Sequence, residues 1–306
     1  MKTFSLNVMS LLVLGSALLF GGCGDSSTSG GAGGEGGAPG ASVSFGGIAW
    51  SFELPGQPYG RISGAQISIL EMPELETTSN ADGEFTIEGL PVGSQATLVL
   101  EHEDHPLAYT KTFTVPESNL DDVTFQIPTN FLFGLIEAGL VDGGVIDEID
   151  PSKCQMVSTF TRFGKTIGDA GHHGEPGALL SVAPANNSEA GPIYFNDEVL
   201  PDPSRTYSSL DGGVLLLNIT PGEYTLSASC VDDPTDLIVE YPPEDNEGES
   251  LRCQTEDVQF ESILMKCQAG VFLNASPSYG LQALPTERAR GRSRSPRLAP
   301  RPASSC

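Results

Sequence analysis

An all-β fold of tandem β-sandwiches is predicted by three observations on this chain. Glycine and proline are plentiful, with 36 and 23 copies. From Ser42 onward apolar residues recur with a period of two, and no long apolar run at helical spacing follows the N-terminus. A chain of 306 residues has room for two sandwiches of ordinary size.

The charge balance narrows the function classes. Forty acidic residues face fifteen basic ones, and six of the arginines (Arg288, Arg290, Arg292, Arg294, Arg297 and Arg301) lie in the last twenty residues. The body is therefore almost devoid of positive charge and repels phosphate backbones, so nucleic acid is not an expected partner.

At the N-terminus, Met1-Lys2 is followed by the apolar run Val8 to Phe20, too short to span a bilayer and laid out as a signal peptide over residues 1–22. Leu19-Phe20-Gly21-Gly22-Cys23 resembles the lipobox of bacterial lipoproteins, with Phe20 where that pattern prefers leucine. The resemblance implies acylation of Cys23 and anchoring to a bacterial cell envelope, with the outer membrane as the expected address. Several acyl chains would hold firmly, since each buried methylene contributes about 0.8 kcal/mol. The rest of residues 23–41 is rich in glycine and serine and reads as a flexible tether.

The first sandwich is assigned to residues 42–129. Val43 and Phe45 alternate, then Ile48, Trp50 and Phe52, with a parity slip at Gly46-Gly47 that a β-bulge would produce. Further strands fit 66–70, 84–87, 96–100, 107–115 and 123–127. Between two of them, Asn80-Ala81-Asp82-Gly83 makes a hairpin turn, Phe85 and Ile87 face inward, and Leu90-Pro91 ends the strand. With Gly64-Ala65-Gln66-Ile67-Ser68-Ile69 before it, this segment resembles the carboxypeptidase regulatory-like domain, a transthyretin-like β-sandwich. That resemblance implies a fold and a module role, and no active site.

A diverged second copy is assigned to residues 153–276. Asp211-Gly212, Val214, Leu216, Asn218, Ile219 and Gly222 stand at the offsets of Asp82-Gly83, Phe85, Ile87, Gly89, Leu90 and Gly93, and Gly177-Ala178 matches Gly64-Ala65. An insertion, 184–206, and an acidic loop after Ser229 depart from the pattern. Residues 130–152 form an inter-domain segment whose FLFGLIEAGLV run predicts a short helix, weakened by Gly134 and Gly139. Residues 277–306 turn basic and rich in Pro, Arg and Ser, and read as a disordered tail, out-of-frame coding being one explanation.

Four cysteines fall in or around the second sandwich, and an exported chain oxidises what it can. Three connectivities are open; pairing Cys154 with Cys267 would staple the terminal strands, and Cys230 with Cys253 would close the acidic loop. Cys306 is then left over.

No catalytic site and no cofactor are expected. His172-His173-Gly174-Glu175 contains an H-x-x-E, yet no histidine follows to complete a peptidase zinc site. There is no G-x-S-x-G elbow or phosphate-cradling glycine loop. The loop 231–251 gathers eight carboxylates, but in no EF-hand order. His102-x-x-His105 is a candidate metal pair at the end of a strand, against the plainer reading of a solvated loop. The functional reading is a non-catalytic, lipid-anchored envelope protein whose modules serve as spacer, scaffold or binding element for an envelope protein or glycan. The alternative is a carbohydrate-binding module, with Trp50, Tyr59, Tyr109 and Tyr194 as candidate platform residues, each also a candidate for the core.

Overall fold

The computed structural model describes residues 40–53, 57–167, 169, 172–185, 188–231, 253 and 258–286. Cys23, nearly all of the acidic loop, Cys306 and the arginine-rich end from 287 lie outside the described residues.

Tandem β-sandwiches fill them. In the first sandwich, β1 (Ser42–Phe52) lies between β8 (Leu120–Pro128), parallel to it, and β5 (Glu84–Pro91) with the short β2 (Gly60–Arg61), both antiparallel. The facing sheet runs β4 (Met72–Thr78), β3 (Gln66–Ile69), β6 (Gln95–Glu101), β7 (Ala108–Thr114). Phe45, Ile67, Phe85, Ile87, Leu90, Leu98 and Phe125 close the core between them.

The second sandwich repeats this topology. β9 (Cys154–Thr161) lies between β13 (Gly213–Ile219), antiparallel, and β17 (Phe272–Ala275), parallel, as β1 lies between β5 and β8. Opposite them β10 (Ala178–Ala183), β14 (Gly222–Cys230) and β16 (Ile263–Cys267) stand for β3, β6 and β7. The 184–206 insertion supplies β11 (Ala190–Phe195) and β12 (Pro201–Asp202), which widen the sheet beyond β13.

The repeat extends to individual hydrogen bonds. The Ser79 hydroxyl donates to the Ile62 carbonyl at 2.7 Å and accepts from the Ala65 amide at 2.9 Å. The Ser208 hydroxyl donates to the Glu175 carbonyl at 2.7 Å and accepts from the Ala178 amide at 2.7 Å. Gly83 and Gly212 hold φ of +74° and +77°, and a Cβ on either would come within 2.7 Å of a backbone oxygen, that of Ala49 or of Phe160. Those oxygens belong to residues whose own amides donate to the glycine carbonyls: Ala49 to Gly83 and Phe160 to Gly212, at 2.8 and 2.9 Å. The aspartate-glycine turn is thus required by a close strand crossing that both sandwiches make.

The sandwiches are joined by equivalent edges. β7 and β16 meet antiparallel at Thr112 and Leu264, while β17 runs parallel to the start of β7, Phe272 opposite Ala108 and Leu273 opposite Tyr109. One sheet therefore continues through both sandwiches, and edges that would otherwise present unpaired backbone groups are paired with each other. Lys266 on β16 ties the seam further by donating to Glu71, in the β3–β4 turn, at 2.5 Å and to Gln95 at 3.0 Å.

The helix α1 (Asn130–Asp142) forms as the apolar run predicts, with the Thr129 hydroxyl accepting from the Leu132 amide at 3.1 Å as its N-cap. Leu140 and the following Ile146 pack on Ile193, Leu215 and Leu217 of the second sandwich. This explains why β13 is buried at every position: Val214 and Leu216 face the core between the sheets, while Leu215 and Leu217 face the helix side. Residues 130–152 therefore cover the second sandwich. Asn218 pins that cover, its side chain accepting from the Asp150 amide at 3.0 Å and donating to the Glu148 carbonyl at 2.8 Å.

Two sequence expectations need correction. Parity does not slip along β1: Val43, Phe45, Ala49 and Ser51 are all buried, and Ile48, Trp50 and Phe52 lie on the opposite face. The register irregularities against β5 and β8 are absorbed around Phe45 without turning the strand over. The second sandwich also runs beyond 276, since β18 (Leu281–Pro285) pairs with β9 and with β15 (Val258–Phe260), burying Leu281 and Ala283. The short apolar alternation Leu281-x-Ala283, next to so much arginine, is what the composition of the tail concealed.

Candidate functional site

His102 and His105 leave β6 in a tight turn, where the His105 amide donates to the His102 carbonyl at 3.2 Å. The turn brings the imidazoles together, Nδ1 to Nδ1, at 3.2 Å. On its far side, Nε2 of His105 lies 3.1 Å from the Ser51 hydroxyl, which lies 3.3 Å from a Glu53 carboxylate oxygen. The Asp104 amide donates to His102 Nδ1 at 3.2 Å. Burial, then the neighbouring His102, lowers the pKa of His105 to about 4, so this imidazole is neutral at physiological pH. His102 is half-buried at the rim of an open depression lined by Gly64, Gln66, Glu101, Glu103 and Leu107. His105 is thus packed against β1, while His102 stays half-buried in an otherwise exposed connection between β6 and β7. Among the described residues no group of three or more His, Cys, Asp or Glu side chains is placed to hold a metal ion.

The candidate aromatic platform is divided. Tyr109 and Tyr194 are 5% and 3% exposed and sit in the second core. Their hydroxyls are engaged, Tyr109 donating to Gln268 and Tyr194 accepting from the Leu180 amide, each at 3.1 Å. Neither offers a ring face to a sugar. Trp50 and Tyr59 are half-buried and meet edge to face at 6.2 Å, and the Arg61 guanidinium covers the Trp50 ring at 3.1 Å. Burial, then the nearby Asp211, pushes the Tyr59 hydroxyl up to about 12.

Sequence reasoning passed over the space beneath α1, because its lining comes from segments far apart in the chain. Phe52, Phe133, Leu140, Phe195, Leu217 and Asp211 are among the residues around about 70 Å³. A cavity of about 150 Å³ is what holds a benzene ring, so the enclosed part of this space is smaller than a sugar ring. Burial raises Asp211 to about 6, although its carboxylate accepts from the Gly213 amide at 2.9 Å.

Both cysteine pairs form as the stapling argument expects. Cys154 bonds Cys267, joining β9 to β16 across the core, and Cys230 bonds Cys253. His172 and His173 lie away from His102 and His105, on the second sandwich, next to Glu175. Burial raises the Glu175 carboxyl to about 8, with the Arg162 charge opposing the shift.

No protein-family model matches the chain, and no curated protein does. Several solved structures overlap it loosely. The Bacillus anthracis TIE protein is 10% identical with a TM-score of 0.21, the match covering 79% of this chain and 33% of that one. The shaft pilin SpaA of Lactobacillus rhamnosus GG is 10% identical with a TM-score of 0.22, covering 80% and 97%. A minor pilin of Streptococcus agalactiae is 10% identical with a TM-score of 0.21, also covering 80% and 97%. The chain thus spans a third of the first of these, and likeness at these TM-scores carries no functional argument.

Proposed function

We propose that the chain is a non-catalytic protein of a bacterial cell envelope, anchored by lipid on Cys23, that holds two fused β-sandwiches off the membrane as a stiff spacer or scaffold. The seam at β7 is the observation that supports this reading. Paired to β16 and β17 and clamped by Lys266 and Glu71, the two sandwiches share a sheet where tandem modules usually share a linker. Such a joint transmits position and leaves no hinge. The glycan-binding reading is weakened by the burial of Tyr109 and Tyr194.

Cys23→Ser tests the anchor. The variant is expected in the soluble fraction while the parent stays with membranes, and mass spectrometry of the parent is expected to show an acylated Cys23 at the mature terminus. An unmodified terminus at another residue would overturn the proposal.

A further inference from the structure

We propose that His102 and His105 hold a divalent transition-metal cation between their Nδ1 atoms, with water completing its coordination. Two imidazole nitrogens that each bind a metal at about 2.0–2.1 Å and lie 3.2 Å apart subtend about 100° at the ion, between the square-planar and tetrahedral angles.

The turn brings together two Nδ1 atoms, each with at most one in-plane lone pair to offer. Ser51 has one hydroxyl hydrogen, and Glu53, a carboxylate, can only accept it. With that hydrogen directed at Glu53, Ser51 Oγ accepts from Nε2–H of His105, which is the tautomer that metal binding through Nδ1 requires. The lone pair of His102 Nδ1 accepts from the Asp104 amide at 3.2 Å, a long bond that the cation would replace. In the absence of a cation, a proton on either ring satisfies the 3.2 Å contact between the two Nδ1 atoms. The relay from His105 through Ser51 to Glu53 is the kind of outer partner that fixes the tautomer and orientation of a metal-bound histidine.

Access comes from the open depression beside His102, whose rim carries Glu101 and Glu103. These carboxylates favour a cation over an anion, and the solvent there supplies the remaining ligands. With two protein ligands the ion is exchangeable and gives no structural closure, which fits a protein that binds metal without processing a substrate.

The test uses the full chain, stripped with a chelator and titrated with Cu(II) at pH 7.5, followed by tryptophan fluorescence and electron paramagnetic resonance. One equivalent is expected to bind with hyperfine coupling to two imidazole nitrogens. His102→Gln is expected to weaken binding at least tenfold, while His172→Gln on the other sandwich leaves it unchanged. The wild-type resonance spectrum alone counts the nitrogens, so the result stands even if a variant folds poorly. Unchanged affinity in His102→Gln, a spectrum without two-nitrogen coupling, or no binding at all would each overturn the proposal and leave a shared proton as the occupant.

Discussion

Glu175 stands in the second sandwich where Ile62 stands in the first: each carbonyl accepts a serine hydroxyl at 2.7 Å, from Ser208 and Ser79. Both side chains are 1% exposed. The copy has therefore put a carboxyl into a site shaped for an aliphatic chain, and Glu175 Oε1 has no hydrogen-bond partner among the described residues.

This exchange predicts a pH-dependent stability. With its pKa raised from 4.5 to about 8, Glu175 keeps a proton in the folded state that the unfolded chain releases. Its contribution is complete below about pH 4.5 and is lost as pH rises toward about 8, at a slope of up to about 1.4 kcal/mol per pH unit. Glu175→Gln, which cannot ionise, should flatten that part of the curve. Denaturant unfolding of both proteins at pH 5, 7 and 9 checks it, and parallel curves would count against a neutral Glu175.

The seam predicts a second outcome. Burial would raise the Glu71 carboxyl, but hydrogen bonds from Lys266 and Thr97 outweigh it and hold the group below the usual carboxylate range. The contact is therefore present above about pH 4.5 and lost as acid titrates Glu71 through its lowered pKa. Lys266→Met should cost about 1–2 kcal/mol, because the pair is partly exposed and Glu71 keeps its bonds to Thr97. Urea unfolding at pH 7 and at pH 3 should show the difference shrinking in acid; an equal difference at both would assign it to packing.

Reduction makes a third. By loop-closure entropy the bridge from Cys154 to Cys267, separated by 113 residues, contributes about 4 to 5 kcal/mol, and that from Cys230 to Cys253, separated by 23, about 3. The first sandwich has no cysteine, yet its sheet continues into the second, so reduction is expected to lower one shared melting transition. Calorimetry with and without reductant decides this, and a first sandwich that melts unaffected would show that the seam does not couple them.

Much of the fold was legible because it rests on local chemistry. The Asp82-Gly83 and Asp211-Gly212 turns, the alternation of Phe85 and Ile87, and the apolar run that makes α1 each declare themselves within a few residues. The pairing of β7 with β16 and β17 joins residues more than 150 positions apart, and nothing in either strand's pattern names its partner. The face of β1 was misread because its inward positions include Ala49 and Ser51, while the larger Trp50 and Phe52 pack on the outside under Arg61 and α1. At the candidate site His102 and His105 were visible as a spacing, but Ser51, which orients His105, comes from a strand 54 residues earlier.

The place of β17 has a consequence for how the protein is made. Phe272–Ala275 is inserted between β7 and β9, strands that leave the ribosome long before it does. Until those residues emerge, both earlier strands carry an open edge ready to pair with any extended chain. Maturation therefore has a late step set by chain order: β17 must be made before the sheet can close. A chain truncated before Phe272 would leave two sticky edges where the chain carrying β17 has none at that seam, making this strand a safeguard against self-association during synthesis.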